Sequence, residues 1–325
     1  LTLLASRLRY GAEEWEPASL FWDAPDRNDH APALWADGEG RIFHFVGLST
    51  AATWGNLALV MRTSTDSGAT WSKARLIAPD HGVGRMPVES VIRTSDGTIL
   101  LPSDAPGPRP GGIVKLNDVV DGTSIWLSRD DGETWTDPGG VIAGLHAGVV
   151  QLEDGRLMAL GRGDDIAGRM PMSLSADLGK TWSYRSSGLP PVTSGQRLAL
   201  MRLKEGPLFL ASFTDTRTVP GVGESEGMTI EDAAGEKRVV RGLYAALSYD
   251  EGETWPVRRL ITDDGPDRWL VGGAWTGRFR MSRDTAEPRG YLSVTQTPDG
   301  VIHLIASALH YELNKAWVEA RMPGR

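Results

Sequence analysis

Apolar positions along this chain fall into short, strand-length runs, and pairs of runs are separated by an acidic residue followed by glycine. Such pairs stand at Asp37-Gly38, Asp96-Gly97, Asp154-Gly155, Glu205-Gly206 and Asp299-Gly300. A β-rich stretch follows each one (RIFHF, TILL, RLMAL, PLFLASF, VIHLIAS), and an apolar run precedes it. Two apolar runs joined by so short a polar turn predict a β-hairpin.

A second pattern alternates with the first. Ser64–Trp71 (STDSGATW), Ser128–Trp135 (SRDDGETW), Ser175–Trp182 (SADLGKTW) and Ser248–Trp255 (SYDEGETW) all read S-x-D-x-G-x-T-W. Four matches at five fixed positions mark a repeat protein. The octad has the chemistry of a tight turn: Ser and Asp hydrogen-bond the local backbone, and Gly accepts a positive φ. Thr and Trp then open the next strand, the indole supplying a large apolar plate. The order becomes strand a, acidic-Gly turn, strand b, variable connection, strand c, octad, strand d. That is one four-stranded antiparallel blade, and the array predicts an all-β protein of the β-propeller class.

The octad resembles the Asp-box, or BNR repeat, of the sialidase superfamily, and the resemblance runs from Asp29 to about Ser307. Taking Ser6–Trp15 (SRLRYGAEEW) as a decayed box that keeps Gly11 and Trp15 favours six blades, with five or seven as alternatives. The repeats span the chain, so residues 1–325 are expected to form a single domain.

Composition narrows the partners. A net charge of −8 argues against nucleic acid and anionic membrane surfaces. No apolar stretch approaches the ~20 residues of a membrane span. The opening LTLLAS lacks a basic region and is too short for a signal peptide, so a secretion signal is either removed or never present. A secreted or periplasmic location is compatible with this and is not fixed by it. There is no cysteine, which excludes disulfides and thiolate metal sites, and neither a metal motif nor a cofactor motif is present.

Acidic-Gly turns and octads connect strands at one end of each blade, so a site belongs at the other end. The longest excursions there are Pro102–Gly122, Phe213–Arg241 and Ile261–Gly290, and long loops are commonly functional. The residues that enter each strand a are Asn28, Asp29 and His30; His81 and Arg85; His146; Gln196 and Arg197; and Arg289 with Tyr291. Arginines, histidines and a tyrosine suit a sugar bearing a carboxylate, because the guanidinium fork matches that group. The expected partner is therefore an oligo- or polysaccharide containing sialic or uronic acid.

In sialidases three arginines hold the carboxylate, a tyrosine assisted by a glutamate is the nucleophile, and an aspartate is the acid/base. The resemblance places Tyr291 (RGYLSVTQTPDGVIHL) at the nucleophile, and Arg217 and Arg278 or Arg280 at triad arginines. The chain departs from the pattern at three points. His30-Ala31-Pro32 stands where the motif has Arg-Ile-Pro, the segment Leu48–Asn56 carries no carboxylate, and the glutamate position falls near Gly195 or Gln196. Asp164 and Asp165 are then the available carboxylic acids, and His30 and His146 the available bases, with Asp29, Arg85, Gln196 and Arg197 at the sugar.

Three functions remain open on these residues: sialidase-type hydrolysis, β-elimination on a uronate by His and Tyr with Arg at the carboxylate, and glycan binding without turnover. Each residue also has a plainer role. Tyr291 can pack between blades, Arg85 and Arg197 can pair with carboxylates such as Glu89, and His44, His303 and His310 sit where strand residues are structural.

Overall fold

A computed structural model of the chain describes residues 1–50, 57–79, 86–106, 114–115, 121–193, 195–214, 227–273 and 276–324. Among the described residues it is all-β apart from one short helix, Lys315–Glu319, with small antiparallel sheets in a β-propeller arrangement. The chain divides into two compact units, Leu1–Pro106 with Ile125–Asp137, and Gly107–Ser124 with Pro138–Arg325.

The first unit holds the sheet Asn28–Ala36, Ile42–Ser49, Ala58–Ser64 and Arg75–Ala78, in sequence order. Beside it in sequence comes the sheet Ile92–Arg93, Ile99–Pro106 and Asp121–Ser128, which enters this unit at Ile125 and gains a bridge from Leu127 to Thr136. Phe43, Phe45, Leu59, Met61, Ile99 and Leu101 fill the core of the unit, with Trp35, Trp126 and Trp135 packed against them.

Three further sheets of blade size lie in the second unit. One runs Leu145–Gln151, Leu157–Arg162, Pro171–Ser175 and Ser183–Ser186, and the next Ala199–Arg202, Leu208–Phe213, Leu243–Ser248 and Val257–Leu260. The last is Gly290–Gln296, Ile302–Ala306 and Leu309–Leu313, to whose first strand Gln196–Arg197 adds in parallel. The core of this unit includes Phe209, Phe213, Tyr244, Leu247 and Leu304, with Val318 from the helix.

The acidic-Gly pairs join strands a and b, and the octads join strands c and d, in the order the sequence predicts. Among the described residues five sheets have blade size, one of the alternative counts. Ser6–Trp15 accounts for the difference from six. It lacks the Asp and Thr of the octad and lies between two short paired strands, Leu3–Ala5 and Ser19–Trp22. The excursions Phe213–Arg241 and Ile261–Gly290 carry hairpins of their own, Met228–Glu231 with Lys237–Val240 and Arg268–Val271 with Arg278–Met281.

All four octads fold alike. The buried Ser hydroxyl donates to Asp Oδ1 at 2.7–2.8 Å and accepts the Gly amide at 2.8–2.9 Å. The same Asp accepts the Thr amide through Oδ1 and the Thr hydroxyl through Oδ2. These donors hold Asp66, Asp130 and Asp177 down to about 2, the Thr hydroxyl contributing most. The indoles of Trp71, Trp135 and Trp182 donate to the octad Gly carbonyl at 3.2 Å. Trp255 is instead buried, and its Nε1 has no hydrogen-bond partner among the described residues.

Glycine is required in the octad on two counts. Gly252 has φ +84°, and a Cβ there would stand 2.5 Å from Met158 Sδ. Gly155, in an acidic-Gly turn, has φ +87° but open space around it. Gly252→Ala should therefore cost about 2–4 kcal/mol, combining left-handed backbone and overpacking, and Gly155→Ala about 1–2 kcal/mol. The urea midpoints of the two variants check this ordering, and equal midpoints contradict it.

Candidate functional site

Strand Leu145–Gln151 begins at the end of its sheet opposite the acidic-Gly turn, and the neighbouring strand ends there at Arg162. Leu145 pairs with Arg162 but Gly148 pairs with Leu160, so one extra residue bulges out of the first strand. His146 occupies the bulge at φ +50°. That is an uncommon conformation for a residue other than glycine, and a bulge turns its side chain away from the regular alternation.

Tyr291 and Arg197 are register partners in the parallel pair, as are Gly290 and Gln196. Gln196 is fully buried and fixes this junction: its Oε1 accepts the Thr193 amide at 3.1 Å and its Nε2 donates to the Pro288 carbonyl at 3.0 Å. The Gly290 amide donates to the Gly195 carbonyl at 3.0 Å. Two strands remote in sequence are thereby locked together where the tyrosine begins.

Around the Tyr291 ring stand three basic side chains. The Arg197 guanidinium lies 4.8 Å and that of Arg162 5.7 Å from the ring centroid. Arg162 Nη1 reaches the phenolic oxygen at 3.5 Å and donates to the Gln196 carbonyl at 3.2 Å. The His146 ring centroid is 6.2 Å from that of Tyr291, and His146 Nδ1 is 3.5 Å from Arg197 Nη2. Arg162, Arg197 and His146 are buried, whereas Tyr291 is 39% exposed. The tyrosine is thus the accessible member of a set whose cations are held by the fold. Arg162 Nε is buried without a hydrogen-bond partner among the described residues. A buried guanidinium of this kind favours an anion arriving at the exposed face.

The structure therefore brings together His146, Gln196, Arg197 and Tyr291 of the expected residues. Asp164 pairs through its backbone with Lys115, and the neighbouring Asp165 is buried and accepts the Gly168 amide at 2.7 Å, as a turn residue does. Arg278 is an exposed residue of a hairpin, with its guanidinium 5.1 Å from the Trp269 ring centroid. His30 and Asp29 belong to the first unit. There Asp29 is buried, accepts the Ala24 amide at 3.2 Å, and has its carboxyl raised above the ordinary value by burial. Burial lowers His30 below the ordinary imidazole value. Arg85 and Arg217 lie outside the described residues.

Two residues escaped the sequence reading. Arg162 closes a strand b instead of opening a strand a, although it lies in the same GRGDD segment as Asp164. Glu287 has no special spacing, yet it is fully buried four residues before Tyr291. It accepts hydrogen bonds from Tyr311 Oη at 3.0 Å and Thr276 Oγ1 at 3.2 Å, and burial pushes its carboxyl up to about 7.

Because that value lies above 4.5, its value in an exposed chain, the neutral carboxyl stabilises the fold at low pH. The contribution is complete below about pH 4.5 and is lost as pH rises through about 7, on the order of 3 kcal/mol in all. Urea denaturation of wild type and Glu287→Gln at pH 5 and pH 8 should show the wild type losing stability relative to the variant. A difference that does not change with pH contradicts the assignment.

The profile of the BNR repeat-like domain matches residues 2–304. A sialidase of Bacteroides fragilis (strain YCH46) is 27% identical over 267 residues, which is 76% of this chain and 43% of that protein. A sialidase of Micromonospora viridifaciens is 26% identical over 208 residues, 61% of this chain and 29% of that protein. The chain thus spans less than half the length of these curated relatives. Among solved structures, a protein of unknown function from Dyadobacter fermentans aligns with a TM-score of 0.51 at 17% identity, over 90% of this chain and 84% of that one. The NanB sialidase of Streptococcus pneumoniae aligns with a TM-score of 0.50 at 11% identity, over 94% and 68%. At these identities the structural likeness concerns fold alone.

Proposed function

This chain belongs to the family of BNR repeat-like domains, and on that premise we propose that it is a glycan-active enzyme of sialidase type, a hydrolase acting on a carboxylated sugar. The observation that carries this reading is the half-exposed Tyr291 with Arg162 and Arg197 against its ring and His146 beside it. The sialidases among its relatives support the reaction class.

In this reading the two guanidinium groups meet the sugar carboxylate, which supplies the anion that buried cations favour. Tyr291 Oη attacks the anomeric carbon as the bond to the departing oxygen breaks. Arg162 Nη1, 3.5 Å from that phenolic oxygen, stabilises charge developing on it. His146 carries the phenolic proton to the leaving oxygen; in the second step it takes a proton from the water that attacks the anomeric carbon and returns it to Tyr291 Oη as the tyrosine–sugar bond breaks. Its position in a bulge holds the imidazole near the ring without a loop that must close.

Turnover of a fluorogenic sialoside tests the proposal. Tyr291→Phe should lower kcat about 10³-fold or more while sugar binding persists. Arg197→Ala should weaken binding about tenfold or more, since a hydrogen bond to a charged group is worth about 1.5–3 kcal/mol. Unchanged turnover in Tyr291→Phe would refute the nucleophile. A new ultraviolet absorbance on incubation with uronate polysaccharide would replace hydrolysis with β-elimination at the same residues. Binding of both sugars without turnover would leave a glycan-binding domain.

A further inference from the structure

In the last sheet of the second unit, Ile302–Ala306 and Leu309–Leu313 pair antiparallel, with His303 opposite Glu312 and Ile305 opposite His310. Side chains alternate across a strand, so His303, His310 and Glu312 share one face. His303 Nδ1 and His310 Nε2 are 3.0 Å apart, and the two rings stack with centroids 5.2 Å apart and planes at 15°. Glu312 Oε1 lies 3.6 Å from the first nitrogen and 3.9 Å from the second.

These distances have a geometric consequence. A triangle with sides of 3.0, 3.6 and 3.9 Å has a point about 2 Å from all three corners. Zinc bonds to imidazole nitrogen and carboxylate oxygen are about 2.0–2.2 Å long. A hydrogen bond between the imidazoles uses one proton and one lone pair, while the Glu312 oxygen stands within 4 Å of both nitrogens. A divalent cation among the three atoms satisfies all of them at once.

We propose that His303, His310 and Glu312 bind a divalent transition-metal ion, zinc foremost. Two imidazoles and one carboxylate favour zinc, copper or nickel over calcium and magnesium, which take oxygen ligands. The histidines are half-buried and Glu312 is exposed, so the remaining coordination position opens to water. The metal would bridge the final strand to its neighbour. That strand lies at the edge of its sheet and leads through Asn314, whose Oδ1 accepts the Trp317 amide at 2.8 Å, into the helix Lys315–Glu319. Trp317 lies 3.9 Å beneath the Arg259 guanidinium, and Val318 is in the core. The ion would thus clip the edge strand through which the C-terminal segment is tied to the second unit. The site is separate from Tyr291, so the proposal stands or falls independently of the glycan reaction.

Calorimetric titration of the full chain, freed of metal by chelation and dialysis, with zinc chloride tests it. One zinc per chain is expected, together with a rise in Tm at saturation. Cobalt at the same stoichiometry should give the visible bands of a four-coordinate ion. Glu312→Gln, an exposed substitution that leaves the strands paired, and His303→Gln should each weaken zinc about tenfold or more, because loss even of an outer partner costs about 10–100-fold. Tyr291→Phe should bind zinc as the wild type does. Absence of binding at submillimolar zinc overturns the proposal, and so does equal affinity in wild type and Glu312→Gln.

Discussion

One buried hydroxyl carries each of the four octad turns of this protein. In every octad the Ser Oγ accepts the Gly amide and donates to the Asp carboxylate, which in turn gathers the Thr amide and hydroxyl. The set is closed, with each donor matched to an acceptor, and it is repeated in both units. Because the acidic-Gly hairpins lie at the same end of the strands, that end is committed to local turn chemistry. The opposite end is left to irregular connections, and His146, Arg162, Arg197 and Tyr291 all stand there.

The candidate site inverts the logic of the turns. An octad satisfies its carboxylate with donors from its own eight residues, whereas Arg162 meets a backbone carbonyl and a phenol instead of a carboxylate. A guanidinium buried in this way is costly unless something else compensates. The parallel pairing of Gln196–Arg197 with the Tyr291 strand shows how the fold sustains it. The fully buried Gln196 supplies two hydrogen bonds that fix the backbone, and its carbonyl accepts from Arg162, so the framework holds that guanidinium in place.

Much of this was legible in the sequence, for a physical reason. Octads and acidic-Gly turns are local: their hydrogen bonds fall within four residues, so residue type and spacing specify them. Tyr291, Arg197 and His146 were legible because each enters a strand at the end that the turns leave free. Arg162 was not, because its relevance depends on which strand its own pairs with. Glu287 was hidden for a similar reason, since only tertiary packing shows that it is buried. Five blade-sized sheets stand among the described residues, a count the sequence left open; the sixth rested on Ser6–Trp15, where a retained Gly and Trp imitate a box without the Asp that makes its hydrogen bonds. His303, His310 and Glu312 look like ordinary strand residues until a register is known that sets His303 across from Glu312.

The same register reasoning connects the two histidines expected at strand starts. In the first unit His30 pairs with Gly47 and Ala33 with Phe45, which is the same three-against-two bulge found between Leu145 and Gly148. Each bulge holds a residue other than glycine at positive φ, Ala31 at +44° and His146 at +50°. The resulting strain must be offset by the surrounding structure. The offset differs between the two. At His146 the left-handed residue is itself the functional candidate, so the strain aims an imidazole toward Tyr291. At Ala31 the left-handed residue bears only a methyl group and the histidine precedes it. One backbone device thus serves two strand starts, and the choice of which bulge residue carries the imidazole distinguishes them.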